Sequence, residues 1–323
     1  MTPEQPVNNI YRIEVPTPYP VGPVNCYLLD GPEPALVDCG PATTGAEAAL
    51  RAGLAAIGLQ PRDIARIVLT HHHPDHAGGL SWLTRETGAP VAGHRFNDLW
   101  LLDHPAVAAQ RLAFFVELYR YCGVEGGDLA AEFHRRFDQY GTAPRAIDAA
   151  LAEGNDVDLA GTRWQVLETP GHAGTHIGLL RADGTLLAGD TLLERISSNA
   201  LVEPPYPGQH GRAPSLLAYR HTLQRLANLP LQVILPGHGN TFTGAAPLIA
   251  RRLKAQEERA HRLLAQLQTG RDTVLALCEA LFPGLQAEQL FLGLSEVLGH
   301  LDLLEEMALA RHEGSTPARY HAL

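Results

Sequence analysis

Residues 70–79 read Thr-His-His-His-Pro-Asp-His-Ala-Gly-Gly and follow an apolar run that predicts a buried strand. Four side chains in this segment are candidate metal ligands: His71, His73, Asp75 and His76. Neutral imidazole and carboxylate groups suit zinc and related divalent ions. In an extended chain His71 and His73 share one side, whereas the other two follow the turn that a proline permits. The segment therefore predicts a metal site on a loop at the end of a strand.

Three further candidates lie far along the chain, and each directly follows both a glycine and a predicted strand: His172, Asp190 and His238. A single histidine or aspartate in such a turn is usually structural. Three of them at strand ends indicate a shared site, because ligand-bearing loops gather at one edge of a sheet. We expect these side chains to complete the donor set begun by residues 70–79.

The pattern around these segments alternates strands with helices, which is typical of a layered α/β protein. The predicted strands are 10–15, 24–30, 35–39, 64–70, 164–168, 177–181, 185–188 and 232–235. The main predicted helices are 43–57, with Thr43 as a cap, 214–228 and 248–268.

Residues 94–152 interrupt the α/β pattern with aromatic and aliphatic side chains at helical spacing. They include Leu112, Phe115, Val116 and Tyr119, and further along Phe133, Phe137 and Tyr140. We interpret this region as a helical insertion. Two roles stay open for it: a cover over the site or a dimer face, and ordinary core packing.

The last part of the chain has a different pattern. Residues 272–281 and 287–306 are predicted helices, and segments on either side of a turn at 313–317 predict a hairpin. We therefore expect a catalytic domain over 1–245, a connector helix over 246–269 and a small winged-helix-like module over 270–323. From Arg271 onward this module has three basic and eight acidic residues, a formal charge of −5, whereas a DNA-reading module is basic.

Composition limits the classes of partner and compartment. The formal net charge is −10, which weighs against broad attraction to nucleic acid or anionic lipid. None of the four cysteines forms a C-x-x-C pair, so we expect buried thiols rather than a zinc knuckle or disulfides. The chain shows neither a signal peptide nor a membrane-spanning run, which predicts a cytoplasmic protein.

Taken together, these residues resemble the motifs of the metallo-β-lactamase superfamily. Asp38 in Val-Asp-Cys-Gly, the H-x-H-x-D-H run, His172, Asp190 and His238 match, in order, the five motifs of that family over roughly residues 10–245. The resemblance implies an αββα sandwich, in which two sheets are flanked by helices. The stretch Val21–Leu29 and the winged-helix-like tail resemble, more loosely, the β-lactamase-like protein 2 branch of hydrolases, thioesterases and an endoribonuclease.

The resemblance also implies a ligand set for two divalent ions, with zinc expected and iron or manganese as alternatives. The first ion is expected on His71, His73 and His172, the second on Asp75, His76 and His238, with Asp190 bridging both. Asp38 is expected to orient a ligand imidazole, and His176 is expected to support the site without binding a metal. His72 should point away from the metals.

The implied reaction is attack by a metal-bound hydroxide on a carbonyl or phosphoryl centre, with Asp75 orienting the hydroxide or passing its proton to the leaving group. β-Lactamases usually carry Cys or Ser where Asp190 stands, whereas an Asp there resembles the glyoxalase II, lactonase and nuclease branches. Because the chain is acidic, we expect a thioester, lactone or other small ester as substrate rather than a phosphodiester. The alternatives are a metal-dependent endoribonuclease or phosphodiesterase, and an iron sulfur dioxygenase using His71 or His73 with His172 and Asp190. A non-enzymatic regulator fits poorly with an intact ligand set.

We further expect Tyr119 and Phe133 to line the substrate cleft, together with other apolar residues of the insertion and tail. The expected partner is a small molecule, with a homodimer left open.

Overall fold

Both large β-sheets of the protein lie in the first of two structural units. The computed structural model describes residues 3–102, 104–125, 127–128, 131 and 145–323. The first unit comprises residues 1–104, 137–198 and 228–245, and the second comprises 105–136, 199–227 and 246–323. Phe133, Phe137 and Tyr140 lie outside the described residues, so the prediction for Phe133 stays a prediction.

A seven-stranded sheet and a five-stranded sheet form the frame of the first unit. The seven strands, in both chain and sheet order, are β1 (Glu4–Val7), β2 (Ile10–Val15), β3 (Val24–Leu29), β4 (Ala35–Val37), β5 (Arg66–Val68), β6 (Val91–His94) and β7 (Ala149–Leu151). The five strands of the other sheet are β8 (Asp156–Leu159), β9 (Thr162–Glu168), β10 (Ile177–Arg181), β11 (Thr185–Gly189) and β12 (Val233–Pro236), in the reverse of chain order.

The two sheets pack face to face through apolar side chains. Val37 and Val68 from the seven-stranded sheet share one buried cluster with Trp164, Ile177 and Leu235 from the five-stranded sheet. Strand β3 is buried along its whole length, as expected for a strand covered on both faces. The space between the sheets is therefore the core of this unit.

Helices cover the outer face of the seven-stranded sheet. They are α1 (Thr44–Ala56) and α3 (Leu80–Thr87), with the short α2 (Pro74–Ala77) and α4 (Asp98–Leu101) in the connecting loops. Leu50 and Leu54 of α1 pack into a second apolar cluster with Leu28 of the sheet and Leu83 of α3. The side chain of Thr43 caps α1 by accepting a hydrogen bond from the Ala46 amide at 3.1 Å. This helical layer and the two sheets are three of the four layers of the predicted sandwich.

Parallel pairing brings the chemically important loops to the ends of neighbouring strands. Strands β4 and β5 are parallel, so the residues after Val37 and after Val68 emerge at the same edge. Strands β11 and β12 are also parallel, and the chain reaches Asp190 and His238 just beyond them. This topology places separate loops from each sheet where they can meet.

The second unit is mainly helical. Its elements are α5 (Pro105–Cys122), α6 (Ser215–Ala227), most of α7 (Ala245–Gln268), α8 (Val274–Leu281), α9 (Leu290–Glu306) and the hairpin β13 (Ala310–Glu313) and β14 (Arg319–Ala322). Arg212 forms an ion pair with Asp302 of α9, and the hydroxyls of Tyr121 and Tyr320 lie 3.0 Å apart. None of the helices among the described residues is long and apolar enough to cross a bilayer.

Most predicted elements are confirmed, including strands β2 and β10 at their predicted bounds and the Thr43 cap. The four cysteines are free and buried, as predicted. Three strands were missed: β1, β7 and β8. Each has three or four residues, and β7 is Ala-Ala-Leu, a sequence that favours helix and is held as strand only by pairing with β6. Residues 149–151 of the predicted helical insertion are therefore strand.

Candidate metal centre

The local structure of residues 70–79 separates two pairs of donors. The chain stays extended through His71 and His73 after β5, and α2 then begins at Pro74, whose fixed φ suits the first position of a helix. Asp75 and His76 therefore project from a helical turn. All four residues are buried, at no more than 8% exposed.

The first donor group consists of His71, His73 and His172. His71 Nε2 lies 3.0 Å from His73 Nδ1, which in turn lies 2.9 Å from His172 Nε2. His172 reaches this point from the loop after β9. All three nitrogens fall within 4.8 Å of one another, as donors to one ion would.

The second donor group consists of Asp75, His76 and His238. Their ligand atoms also lie within 4.8 Å of one another, and His238 Nε2 is 3.3 Å from Asp75 Oδ2. Two of the three donors come from α2, and the third comes from the loop after β12.

Asp190 lies between the two groups. Its Oδ2 is 3.5 Å from His172 Nε2 in the first group and 3.5 Å from His238 Nε2 in the second, and its Oδ1 is 3.4 Å from His76 Nε2. A carboxylate placed in this way can contact an ion in either group. The structure thus brings together all seven side chains that the sequence analysis named as ligands.

Hydrogen bonds on the far side of three imidazoles fix which nitrogen faces the centre. His76 Nδ1 is 2.8 Å from Asp38 Oδ2, and His238 Nδ1 is 2.7 Å from the Pro23 carbonyl. His71 Nδ1 lies 3.0 Å from Thr70 Oγ1. Because Nδ1 donates in each case, Nε2 faces the other donors and can bind a metal ion.

Asp38 supports two of these imidazoles, His76 directly and His71 through the hydroxyl of Thr70. It accepts hydrogen bonds from the Thr70 amide at 2.8 Å and from the Thr70 hydroxyl at 2.7 Å, in addition to His76. Its backbone has φ of 61°, a left-handed conformation that costs a non-glycine residue free energy. Asp38 lies where the sequence analysis expected it, against a ligand imidazole, and Thr70 extends its contact to His71.

His176 holds the backbone of Asp190. The Asp190 amide donates to His176 Nε2 at 3.0 Å, while His176 Nδ1 lies 2.7 Å from the Thr169 hydroxyl and 3.1 Å from the Thr191 hydroxyl. His176 is therefore next to the donor set and not part of it. His72 faces elsewhere, with Nδ1 2.7 Å from the Thr175 hydroxyl.

The two donor groups differ in charge when no metal is bound. Burial lowers the pKa of His71 and His73 well below the ordinary value, and neighbouring imidazoles lower it further. Burial also opposes charge on His76 and His238, but the facing carboxylates, Asp190 foremost, raise the pKa of both. His71 and His73 of the first group are thus neutral, whereas the second group contains ion pairs.

Both acidic donors are ionised. Burial alone would raise the pKa of Asp190, yet the imidazoles of His238 and His76 hold it well below the ordinary value. The pKa of Asp75 is likewise lowered, by His76 and His238, against the effect of burial. Ionised carboxylates are the form that binds a metal.

Divalent ions fit these donors. His76 Nε2, His238 Nε2 and Asp190 Oδ1 are buried and make no hydrogen bond within the described part of the chain, an arrangement that costs free energy unless another group binds them. A tetrahedral zinc with bonds of about 2.0–2.1 Å keeps its ligand atoms about 3.3 Å apart, and the contacts described above span 2.9–3.5 Å. The residues therefore suit metal ions in position and in chemistry.

Three polar residues that support the centre were not predicted. Thr70 bonds Asp38 and His71, and Asn25 and Arg12 contact the loop that carries His238 from strands β3 and β2. The available signal was polarity, because both are polar side chains in strands whose other buried residues are apolar. Tyr119, predicted to line the cleft, is a buried residue of α5 in the second unit, and burial raises its pKa to about 12.

Comparison with known proteins agrees with this geometry. Residues 19–238 match the family model of the metallo-β-lactamase superfamily. The probable metallo-hydrolase YqjP of Bacillus subtilis (strain 168) is 38% identical over 312 residues, which cover 95% of this chain and 96% of that protein. A hydroxyacylglutathione hydrolase of Acidiphilium cryptum is 29% identical over 205 residues, covering 60% of this chain and 62% of that enzyme.

A solved structure extends the likeness to the whole chain. The crystal structure of a metallo-β-lactamase family protein from Thermus thermophilus superposes with a TM-score of 0.83 at 31% identity, covering 98% of this chain and 99% of that one. Fold, donor clusters and relatives agree on one assignment: this chain belongs to the metallo-β-lactamase superfamily and is a metal-dependent hydrolase.

Proposed function

We propose that the protein is a binuclear hydrolase of thioesters, lactones or other small esters. The first ion is held by His71, His73 and His172, and the second by Asp75, His76 and His238. The position of Asp190, within 3.5 Å of a donor nitrogen from each group, is the observation that carries the proposal. A carboxylate there can bridge two ions, whereas a single ion would leave part of this buried set without a partner.

Zinc is the metal we propose, because imidazole and carboxylate donors in near-tetrahedral spacing suit it, although iron or manganese can use similar donors. Bound divalent cations supply Lewis acidity, which lowers the pKa of a water molecule and polarises the substrate oxygen. Elemental analysis of protein prepared without chelators should give two metal equivalents per chain. A single equivalent, with Asp75 and His238 remote from it in a structure, would rule out the binuclear site.

The protein's own residues keep the reacting groups in place. Asp190 is fixed through its backbone by His176, and His76 is fixed by Asp38. Asp75, which is 8% exposed, is the carboxylate we assign to orient the attacking water and to carry its proton toward the leaving group. We expect hydrolysis without a covalent intermediate, since no Ser or Cys among the described residues is arranged as a nucleophile at the site.

The substrate class rests on the bridging residue and on the relatives. An aspartate at position 190 sets the chain apart from β-lactamases that carry Cys or Ser there. Several relatives at 26–30% identity are named hydroxyacylglutathione hydrolases, which describes release of an acyl group from a thiol. The formal charge of −10 disfavours a polyanionic substrate such as RNA.

We place the protein in the β-lactamase-like protein 2 branch and propose that it acts on a small molecule in the cytoplasm. We assign residues 270–323 as its winged-helix-like module. Helices α8 and α9 followed by the hairpin β13–β14 support that assignment. The acidic charge of the module favours a packing or dimer role over nucleic-acid binding.

A panel of substrates on metal-quantified protein tests the proposal. It should include thioesters, lactones, phosphodiesters, single-stranded RNA and β-lactams, with a chelator-treated sample as the control. Metal-dependent turnover of an ester or thioester well above the other classes is the expected result. Dominant RNA cleavage would favour the nuclease alternative, and one equivalent of iron with oxygen uptake would favour a sulfur dioxygenase.

A further inference from the structure

Strand β3 is hydrogen-bonded to the loop that carries His238. The backbone N–H of Asn25 donates to the Gly237 carbonyl at 2.7 Å. The Asn25 side chain donates from Nδ2 to the carbonyls of Pro236 and Gly239, both at 2.8 Å. In the opposite direction, His238 Nδ1 donates to the Pro23 carbonyl. The loop is therefore bonded to β3 on both sides of the ligand.

Arg12 and Tyr27 hold the same loop from neighbouring positions. Arg12 donates to the Gly239 carbonyl and to Asn240 Oδ1, and its guanidinium is itself fixed by Glu4 at 2.8 Å. The Tyr27 hydroxyl donates to the Pro236 carbonyl at 2.9 Å. Each of the two carbonyls bound by the Asn25 side chain thus has a second donor.

The loop needs this support because its own sequence supplies little rigidity. Glycines stand on both sides of His238, and Gly239 has φ of 79°, a conformation that glycine adopts freely and other residues rarely do. Gly237 packs so tightly that a Cβ there would collide with Asp190 and His76. Small residues let the loop approach the centre, and they leave its conformation to be set by external hydrogen bonds.

The chemistry of the contact suits an amide at position 25. Both loop atoms that face the side chain are carbonyl oxygens, and an amide nitrogen with two N–H donors bonds both at once and so ties them together. Asn25 is 1% exposed, which excludes water as a ready substitute. The stretch Val21–Leu29, noted above for its resemblance to one branch of the family, therefore supports the loop that carries His238.

We propose that Asn25, supported by Arg12, is a positioning residue for the second metal, because it fixes the backbone from which His238 reaches that ion. The inference rests on the proposed binuclear site. Asn25 itself binds no metal, and the first donor group, His71, His73 and His172, does not depend on it.

The test compares metal binding by the wild type, Asn25→Ala and Thr43→Ala. Zinc is titrated against a competing chelator of known affinity, and cobalt-loaded samples are followed by visible absorption. Loss of a residue that orients a ligand typically costs about 10- to 100-fold in metal affinity, so Asn25→Ala should weaken the second equivalent by that factor and leave the first unchanged. The cobalt spectrum of the second site should change with it.

Thr43→Ala is the matched control, since it removes the α1 cap in the same unit without touching the loop. It should lower the melting temperature of the metal-free protein and leave both metal affinities as they are. If Asn25→Ala does not fold, Arg12→Gln, which removes the outer support, replaces it and should again weaken only the second equivalent.

The outcomes separate the two proposals. A wild type that binds two equivalents, with unchanged affinities in a folded Asn25 or Arg12 variant, would overturn the positioning role and leave the binuclear site standing. Equal weakening of both equivalents would also overturn it. A wild type that binds one equivalent would overturn the binuclear site and this inference together.

Discussion

The first donor group contains imidazoles alone, whereas the second joins two imidazoles to the carboxylate of Asp75. Burial keeps His71 and His73 neutral in the first group, while carboxylates keep His76 and His238 of the second charged in the metal-free protein. The two donor groups therefore differ in the protons that they release when a metal binds. Neutral imidazoles bind a metal through their lone pairs without losing a proton, whereas charged imidazoles must first be deprotonated.

The groups also differ in how the chain builds them. Two donors of the first group come from one extended segment, and His172 follows a neighbouring strand. The second group depends on a glycine-flanked loop bonded to β3. Asp190 contacts both, so its removal should affect the centre as a whole, and other changes should affect one group at a time.

The largest effect is expected from Asp190→Ala. It removes the carboxylate that lies 3.5 Å from donors of each group and lowers the negative charge that balances two cations. We expect hydrolysis to fall by several orders of magnitude and the fold to remain, because His176 holds the backbone at this position. Turnover on the best substrate of the panel, with metal content and circular dichroism, measures both.

Asp183→Ala is the matched control for that change, since Asp183 is a half-exposed carboxylate that binds Arg181 at the surface. It should keep wild-type turnover. An Asp190→Ala protein that hydrolyses at nearly the wild-type rate under full metal loading would contradict the bridging role.

The next largest effect is expected from pH. At pH values below their raised pKa, His76 and His238 carry protons that the second metal must displace, so its affinity should fall as pH falls, by up to about 100-fold per pH unit for two protons. His71 and His73, whose pKa is lowered, hold no such protons near neutrality, so the first affinity should change far less.

Calorimetric titrations of zinc in buffers of different ionisation enthalpy would count the protons released by each equivalent. Release confined to one equivalent would support the contrast between the groups. Equal release from both equivalents, or none from either, would show that the charges of the two groups are the same.

The residues of both donor groups could be named from the sequence, because each stands in a short motif beside a strand end. The role of Asn25 could not, although its polarity in an apolar strand marks the residue, since its partners are backbone carbonyls more than 200 positions away and a carbonyl leaves no trace in the residue type. Strand β7 was missed for a related reason: its Ala-Ala-Leu sequence carries no strand signal of its own, and pairing with β6 decides its conformation.

A moderate effect, confined to the first group, is expected from Thr70→Val. The substitution keeps the shape of the side chain and removes the hydroxyl between Asp38 and His71. His71 then loses the contact that directs Nε2 to the centre, so the first metal should bind about 10- to 100-fold more weakly. Chelator competition measures this change, and equal weakening of both equivalents would contradict a role specific to His71.

The smallest effect on the centre is expected from His72→Ala, for which His73→Ala is the matched control. His72 stacks on Trp100 with ring centroids 4.1 Å apart and bonds the Thr175 hydroxyl, so its loss should cost stability, about 1–3 kcal/mol for one hydrogen bond and one ring contact. Both metal equivalents should remain, whereas His73→Ala should lose the first. Adjacent histidines would then have unrelated roles, because an extended chain turns successive side chains to opposite sides. Loss of a metal equivalent from His72→Ala would show instead that the segment presents all of its histidines to the centre.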